Sequence, residues 1–246
     1  MKKGLLTYSS IFSFFWPLAI TNILMGITSS IVNAGLTRHP DKITALATFS
    51  IAYVVSVFLN SPIYSAQQTA IVLVKGKSSF KRVHLFLMIQ GLIVLIFQIG
   101  IIFSPAGQWL FSDFIGVSET TTRLALISMI IWLPFSILVS WRGLLQALLI
   151  QKQKTFFISV ATGVRILFMV VFLIAGPFFL DIHGALISAL AITFSIFMEV
   201  LIDFIYALPI IKTLPEEQSS RLTGKEFIKF STPLSLSMLL WTAAGF

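Results

Sequence analysis

Four ionisable residues sit inside long apolar runs: Arg142, Arg165, Glu199 and Asp203. An isolated charge at bilayer depth is expensive, so such residues face a bundle interior and pair with one another. Their depths follow from folding each helical hairpin about its loop. The turn between the fifth and sixth apolar segments centres near Ile182, with Arg165 17 residues before it and Glu199 17 after it. The turn between the fourth and fifth centres near Gln153, with Arg142 11 residues before it and Arg165 12 after it. Asp203 follows Glu199 by one helical turn on the same face, because i and i+4 coincide on a helix. Two positive and two negative side chains are therefore expected at one depth, with Arg165 opposite Glu199 and Arg142 and Asp203 nearby. Such a set either holds the fourth to sixth segments together as a structural cluster, or forms a cytoplasmic-side gate with Glu199 as a proton-responsive carboxylate. The spacing assigns Asp203 no coupling role of its own.

A second polar set lies on the first two segments. Asn22, Ser29 and Asn33 are spaced 7 and 4 apart, and Asn60, Tyr64 and Gln67 follow i, i+4, i+7, so each trio shares one helix face. Such stripes line a water-filled cavity, or they join helices through side-chain hydrogen bonds. Pro17, Pro62 and Pro134 fall within helical runs, where proline kinks a helix and frees carbonyls.

Other chemistry is missing from the sequence. It has no Walker motif and no nucleophile elbow, and His39, His84 and His183 form no H-x-x-x-H pair. An intramembrane enzyme needs a convergent acid, base or metal set, and only Glu199 and Asp203 offer the start of one. Without cysteine there is no disulfide, thiolate nucleophile or Cys-based metal site. No enzyme activity and no cofactor are expected.

These residues need long helices to position them. The chain is 57% hydrophobic and 11% charged, with a mean hydropathy of +0.97; soluble domains carry roughly 25% charged residues. The apolar runs far exceed the ~10-residue alternating segments of a membrane β-barrel. The fold class is therefore an all-α membrane protein. A span takes about 20 apolar residues, which places helices near 10–36, 43–74, 82–104, 120–150, 155–178 and 184–211, with a seventh starting near 226. The first is too long for a leader's apolar core and contains Asn22 and Asn33, so it reads as a span rather than a cleaved signal. The loop 104–119 carries Trp109, Leu110, Phe111 and Phe114, which reads as a short interfacial segment.

The net charge of +8 arises from short basic clusters between spans, a pattern of membrane loops rather than of a nucleic-acid surface. Assigning loops to alternate sides puts twelve Lys and Arg on one side and three on the other, with Arg142 and Arg165 within spans. The positive-inside rule then makes the N-terminus cytoplasmic. The absence of cysteine fits a bacterial inner membrane, with the chain multi-pass.

An internal repeat is also visible. Setting Pro17 over Pro233 aligns FFWPLAITNILMGIT with FSTPLSLSMLLWTAA, with Phe14/Phe230, Leu18/Leu234 and Leu24/Leu240 identical as well. A proline-containing helix recurring after six spans marks a transporter made of two similar halves. The expected organisation is a six-helix transmembrane lobe over 1–212, a cytoplasmic linker over 213–225, and a truncated first helix of a second lobe over 226–246. That last segment is expected to pack poorly for want of partners.

The opening FWPLAITNILMGITSSIVNAGLTR (15–38) is similar to the first helix of the multidrug/oligosaccharidyl-lipid/polysaccharide (MOP) exporter superfamily. Trp141-Arg142-Gly143-Leu144-Leu145-Gln146, followed by Gln151-Lys152-Gln153-Lys154-Thr155, resembles that superfamily's Arg-Gly…Lys-Thr pattern at the inner end of the fourth helix. Pro17-Leu18-Ala19-Ile20-Thr21-Asn22 with Asn33-Ala34-Gly35-Leu36 resembles the progressive ankylosis protein branch. The resemblance implies the N-lobe of a two-lobe MATE-like transporter, a six-helix bundle plus the start of a seventh helix. It also implies alternating-access export driven by an ion gradient of H+ or Na+. Superfamily substrates range from cationic drugs to lipid-linked sugars to small anions. This chain has no acidic residue in the first span, where many proton-coupled drug exporters carry an Asp, which argues against drug/proton antiport. It also lacks arginine within the first two spans, unlike an Arg-lined lipid-linked oligosaccharide flippase.

The expected partners are the lipid bilayer, the missing C-terminal lobe and a small-molecule or lipid-linked substrate, with no nucleic acid. Beside the secondary transporter stand two alternatives: a truncated, non-transporting lobe acting as an assembly or scaffold subunit, and a lipid-linked sugar flippase of the same superfamily.

Overall fold

The computed structural model describes residues 8–216 and 222–244. Lys2 and Lys3, the linker stretch 217–221 and the last two residues of the seventh segment lie outside the described residues. Among those described there are helices and turns and no strand. The helices are α1 Tyr8–Gly26, α2 Thr28–Leu36, α3 Lys42–Asn60, α4 Ala66–Leu73, α5 Lys77–Ile102, α6 Pro105–Gln108, α7 Glu119–Ile131, α8 Phe135–Gln151, α9 Thr155–Phe179, α10 Gly184–Lys212 and α11 Gly224–Ala243.

Five of the helical runs are long and apolar enough to cross a membrane, or six when α7 and α8 count as one span bent by 41°. α11 is less apolar, with Lys225, Glu226 and Lys229 near its start, and is not among them. The outward surface is itself apolar: Ile93, Ile96 and Phe97 on α5 and Leu167 and Val171 on α9 are exposed. Exposed rows of this kind suit a lipid solvent. α10 is the central helix, packing on α9, α8, α7 and α3. Gly184, Ala185, Ser188, Ala189, Ala191 and Ser195 are buried on it, and small residues let helix backbones approach closely in membranes.

Three spans are interrupted, each for a local reason. The second gives way to a tighter helical turn over Ser61–Ser65, which contains Pro62. The fourth turns at Trp132–Pro134, where the proline supplies no N–H to α7. The first breaks elsewhere than at its proline: α1 runs through Pro17, and the interruption falls at Ile27, directly after Gly26. The segment after α5 also differs from expectation. α6 leads into a widened helical turn over Trp109–Phe114 whose Phe111 is buried in the core, while Trp109 and Phe114 are exposed.

Contacts sort the connections into two ends of the bundle. At one end Gln151 Nε2 donates to the Ile71 and Val74 carbonyls, Thr155 Oγ1 to the Phe14 carbonyl, Lys77 N to the Pro215 carbonyl and Arg82 Nη1 to the Leu222 carbonyl. The basic loops thus gather with Pro215 and Leu222. At the other end His39 packs on Gly184, where an added Cβ would lie 2.9 Å from His39 Cγ.

α11 buries only Phe227, Ser231 and Thr242, leaving Ile228, Leu236, Leu240 and Trp241 exposed, and hydrogen bonds hold it to the bundle. The Pro62 carbonyl accepts from Ser65 Oγ at 3.0 Å, Gln90 Nε2 at 2.9 Å and Ser235 Oγ at 3.0 Å. The break in the second span therefore supplies the acceptor that ties α11 to the bundle. Thr223 and Glu226 form a capping box at the α11 start.

Candidate functional site

The four intramembrane charges meet between α8, α9 and α10, and Glu199 is their centre. Its Oε2 accepts from Arg142 Nη1 at 3.0 Å and from Arg165 Nη1 at 3.2 Å. Its Oε1 accepts from Thr162 Oγ1 at 2.7 Å. The Glu199 side chain is fully buried, Arg165 is 8% exposed and Arg142 14%. Arg165 Nη2 also donates to Thr28 Oγ1 at 2.9 Å, bringing α2 into the network. Four helical elements are thereby tied to one carboxylate by charge-assisted hydrogen bonds, the stronger kind in a low-dielectric interior.

Asp203 is also fully buried, yet it takes neither guanidinium. Its Oδ2 accepts from Gln146 Nε2 at 2.9 Å, and its Oδ1 has no partner among the described residues. Gln146 stands one turn beyond Arg142 on α8, as Asp203 stands one turn beyond Glu199 on α10. The two helices therefore present paired rungs, Arg142–Glu199 and Gln146–Asp203.

Gly143 lies beside Arg142 where α8 crosses α4. A Cβ there would come within 2.9 Å of both Ala66 Cβ and the Gln67 backbone N. The Arg-Gly pair thus combines a charge aimed at α10 with a glycine that lets α4 approach.

Of the six residues of the polar stripes, Asn60 and Tyr64 are brought together. Asn60 Oδ1 accepts from Gln98 Nε2 at 3.1 Å and Ser136 Oγ at 2.9 Å, and Asn60 Nδ2 donates to the Ser56 carbonyl at 2.8 Å. This buried node joins α3, α5 and α8. Asn60 and Tyr64 also line a void of about 10 Å³ with Tyr53, Ser56, Trp132 and Phe135, a size that holds about one water. Asn22 is exposed, while Ser29, Asn33 and Gln67 are half-buried and do not line that void. Asn33 Oδ1 is buried without a partner.

Sequence reasoning missed Gln98, Ser136 and Thr162. Gln98 carries a readable signal, since it interrupts the apolar run Leu92–Ile102 as its single strongly polar side chain. Ser136 and Thr162 carry none, because small hydroxyls are common in membrane helices. A larger cleft of about 440 Å³ lies between α5 and α11 over the Ser61–Ser65 turn. Gln90, Ser231, Thr232 and Ser235 supply polar groups to its otherwise apolar wall.

Broken spans, a buried charge centre and membrane-length helices around a central sixth span make up an all-helical membrane fold of the MATE/MOP type. The solved structures it resembles share this fold. A MOP superfamily transporter from Pyrococcus furiosus, described as having a binding pocket of reverse polarity, matches at TM-score 0.67 and 16% identity, over 94% of this chain and 52% of its own. An outward-facing multidrug-resistance MATE transporter matches at TM-score 0.69 and 14% identity with the same coverage. The Vibrio cholerae MATE transporter VcmN in its bent form matches at TM-score 0.69 and 11% identity, over 96% of this chain and 55% of its own. The chain spans about half the length of these transporters. Within the class, it belongs to the progressive ankylosis protein (ANKH) family, whose sequence model matches residues 2–243.

Proposed function

We propose that the chain forms the N-terminal six-span lobe of a two-lobe secondary transporter that works by alternating access, with α11 as the first helix of the second lobe. The observation that carries this reading is the family match over 2–243 together with a MATE fold spanning 94% of this chain and about half of the relatives. The function is movement of a solute, not catalysis. Residues 1–212 act as the lobe and 213–225 as the linker. The basic end faces the cytoplasm of a multi-pass inner-membrane protein, and an H+ or Na+ gradient drives the cycle.

The geometry supports this in three ways. The second and fourth spans break at Pro62 and Pro134, and broken helices are where transporters bend and where pathways run. The Glu199 centre ties α2, α8, α9 and α10 into a unit able to move as a rigid body. The α5–α11 cleft opens beside the proline break where the two lobes meet, and suits a small-molecule or lipid-linked substrate.

The test is reciprocal accessibility in the complete protein. Single cysteines replace Gln67, near the basic end, and Asn33, near the other end. Membrane-impermeant thiol reagents are applied to right-side-out and inside-out vesicles. Alternating access predicts that each position reacts from one face only, and that an imposed ion gradient speeds one reaction while slowing the other. Rates that stay unchanged under every gradient contradict it.

A further inference from the structure

We propose that Asp203 is a proton-binding carboxyl, holding a proton on Oδ1 in this conformation while Glu199 beside it stays ionised. The assignment is geometric. An ionised carboxylate offers about four acceptor sites, and Asp203 receives one hydrogen bond, from Gln146. Its other oxygen is buried and without a partner. A bare charge so placed is far more costly to bury than a neutral acid with one unmade hydrogen bond. Both guanidiniums and the Thr162 hydroxyl are already committed to Glu199. Asp203 stands one helical turn from that carboxylate, so a second negative charge there would repel the first.

The groups around it are Glu199 on the same helix and Arg142 and Gln146 on α8; Arg165 on α9 bonds Glu199 and Thr28. With Asp203 neutral, the cluster keeps two guanidiniums and one carboxylate. The surplus positive charge falls to Arg142, the more exposed of the two arginines. The proton adds to Oδ1 from water and returns to water, and no other bond forms or breaks. Its release creates a second carboxylate one turn from the first, within electrostatic reach of Arg142. Arg142 is then shared between Glu199 and Asp203, and the α8–α10 rungs shift register by a side chain. A proton bound at Asp203 is thereby linked to how α8 seats on α10. Its role in transport rests on the transporter reading above; the protonation itself does not.

Infrared difference spectroscopy on the complete protein in liposomes at neutral pH tests this. A buried protonated carboxyl gives a C=O band that shifts in D2O, which carboxylates do not. The expected result is such a band in the wild type and its loss in Asp203→Asn. A wild type without the band overturns the proposal, and so does a band that survives Asp203→Asn. Should that variant fail to fold, wild type labelled with carboxyl-13C aspartate takes its place: the band must move to lower frequency, and an unmoved band overturns the assignment. The readout needs no substrate, so a negative flux assay would count against the transporter reading and leave this one standing.

Discussion

Arg165 on α9 and Glu199 on α10 are joined Nη1 to Oε2 at 3.2 Å within the bundle, and the same oxygen holds Arg142 at 3.0 Å. One carboxylate thus answers two guanidiniums, and removal of the partners is asymmetric. Glu199→Gln strands two buried cations, whereas Arg165→Gln leaves Glu199 paired with Arg142. Breaking a buried pair costs about 3–5 kcal/mol. Glu199→Gln is expected in that range and Arg165→Gln below it. The double variant recovers only part of the loss, because Arg142 remains unpaired. Thermal unfolding of the four proteins in detergent checks this, and additive losses with no recovery would show that the residues do not act as a pair.

Gly143 sets the α4–α8 approach. In Gly143→Ala the new methyl must displace the α4 backbone at Gln67 rather than a flexible side-chain tip. Overpacking of this kind costs about 1–3 kcal/mol. The loss is expected in unfolding temperature, and Gly163→Ala, inside α9 where nothing lies near the added carbon, is the control that shows no loss and carries only the propensity gain of Ala over Gly.

His183 caps α10, its Nδ1 accepting from Ala185 N at 3.3 Å beside the ring of His39. Burial, the larger effect, and the neighbouring His39 hold its imidazole below the ordinary 6.5, against a smaller opposing pull from Asp41. A protonated ring also loses the cap and sets a cation at a helix N-terminus. The unfolded chain therefore takes this proton first as pH falls. The contribution of His183 to stability is complete above 6.5 and is lost as pH falls through the lower folded-state value. His183→Asn keeps a capping acceptor without titrating. It is expected to flatten the acid limb of a plot of melting temperature against pH, and an unchanged limb would remove His183 as its source.

How much of this was legible in the chain depends on whether the cause is local. Span lengths follow from apolar runs, and the breaks at Pro62 and Pro134 follow from a missing N–H. The interruption at Ile27 has no proline and was not foreseen. Hairpin arithmetic sets the depth of Arg142, Arg165, Glu199 and Asp203 and puts Arg165 opposite Glu199, but depth does not say which carboxylate Arg142 reaches. That depends on helix rotation, which tertiary packing decides, and it separates Glu199 from Asp203. Face-sharing likewise groups Asn60 with Tyr64 and Gln67. The side-chain partners of Asn60 are Gln98 and Ser136, more than 35 residues away along the chain.

Orientation is open to direct labelling, since the chain has no cysteine to remove. Single cysteines replace Pro40 and Lys81, both exposed and at opposite ends of the bundle. An impermeant thiol reagent on intact cells is expected to modify the first and spare the second. The reverse pattern would invert the topology.

The proposed function requires this bundle to be one lobe of a transporter that rocks against another. Spin-label distances between the lobes of the complete protein test it most directly. One pair is anchored at Lys81 and one at Pro40, each partnered by a label at the same end of the second lobe. Rocking gives two distances at each end, with the short population at one end rising as that at the other falls when pH or sodium is changed. A single distance at both ends, unmoved by either ion, would contradict it.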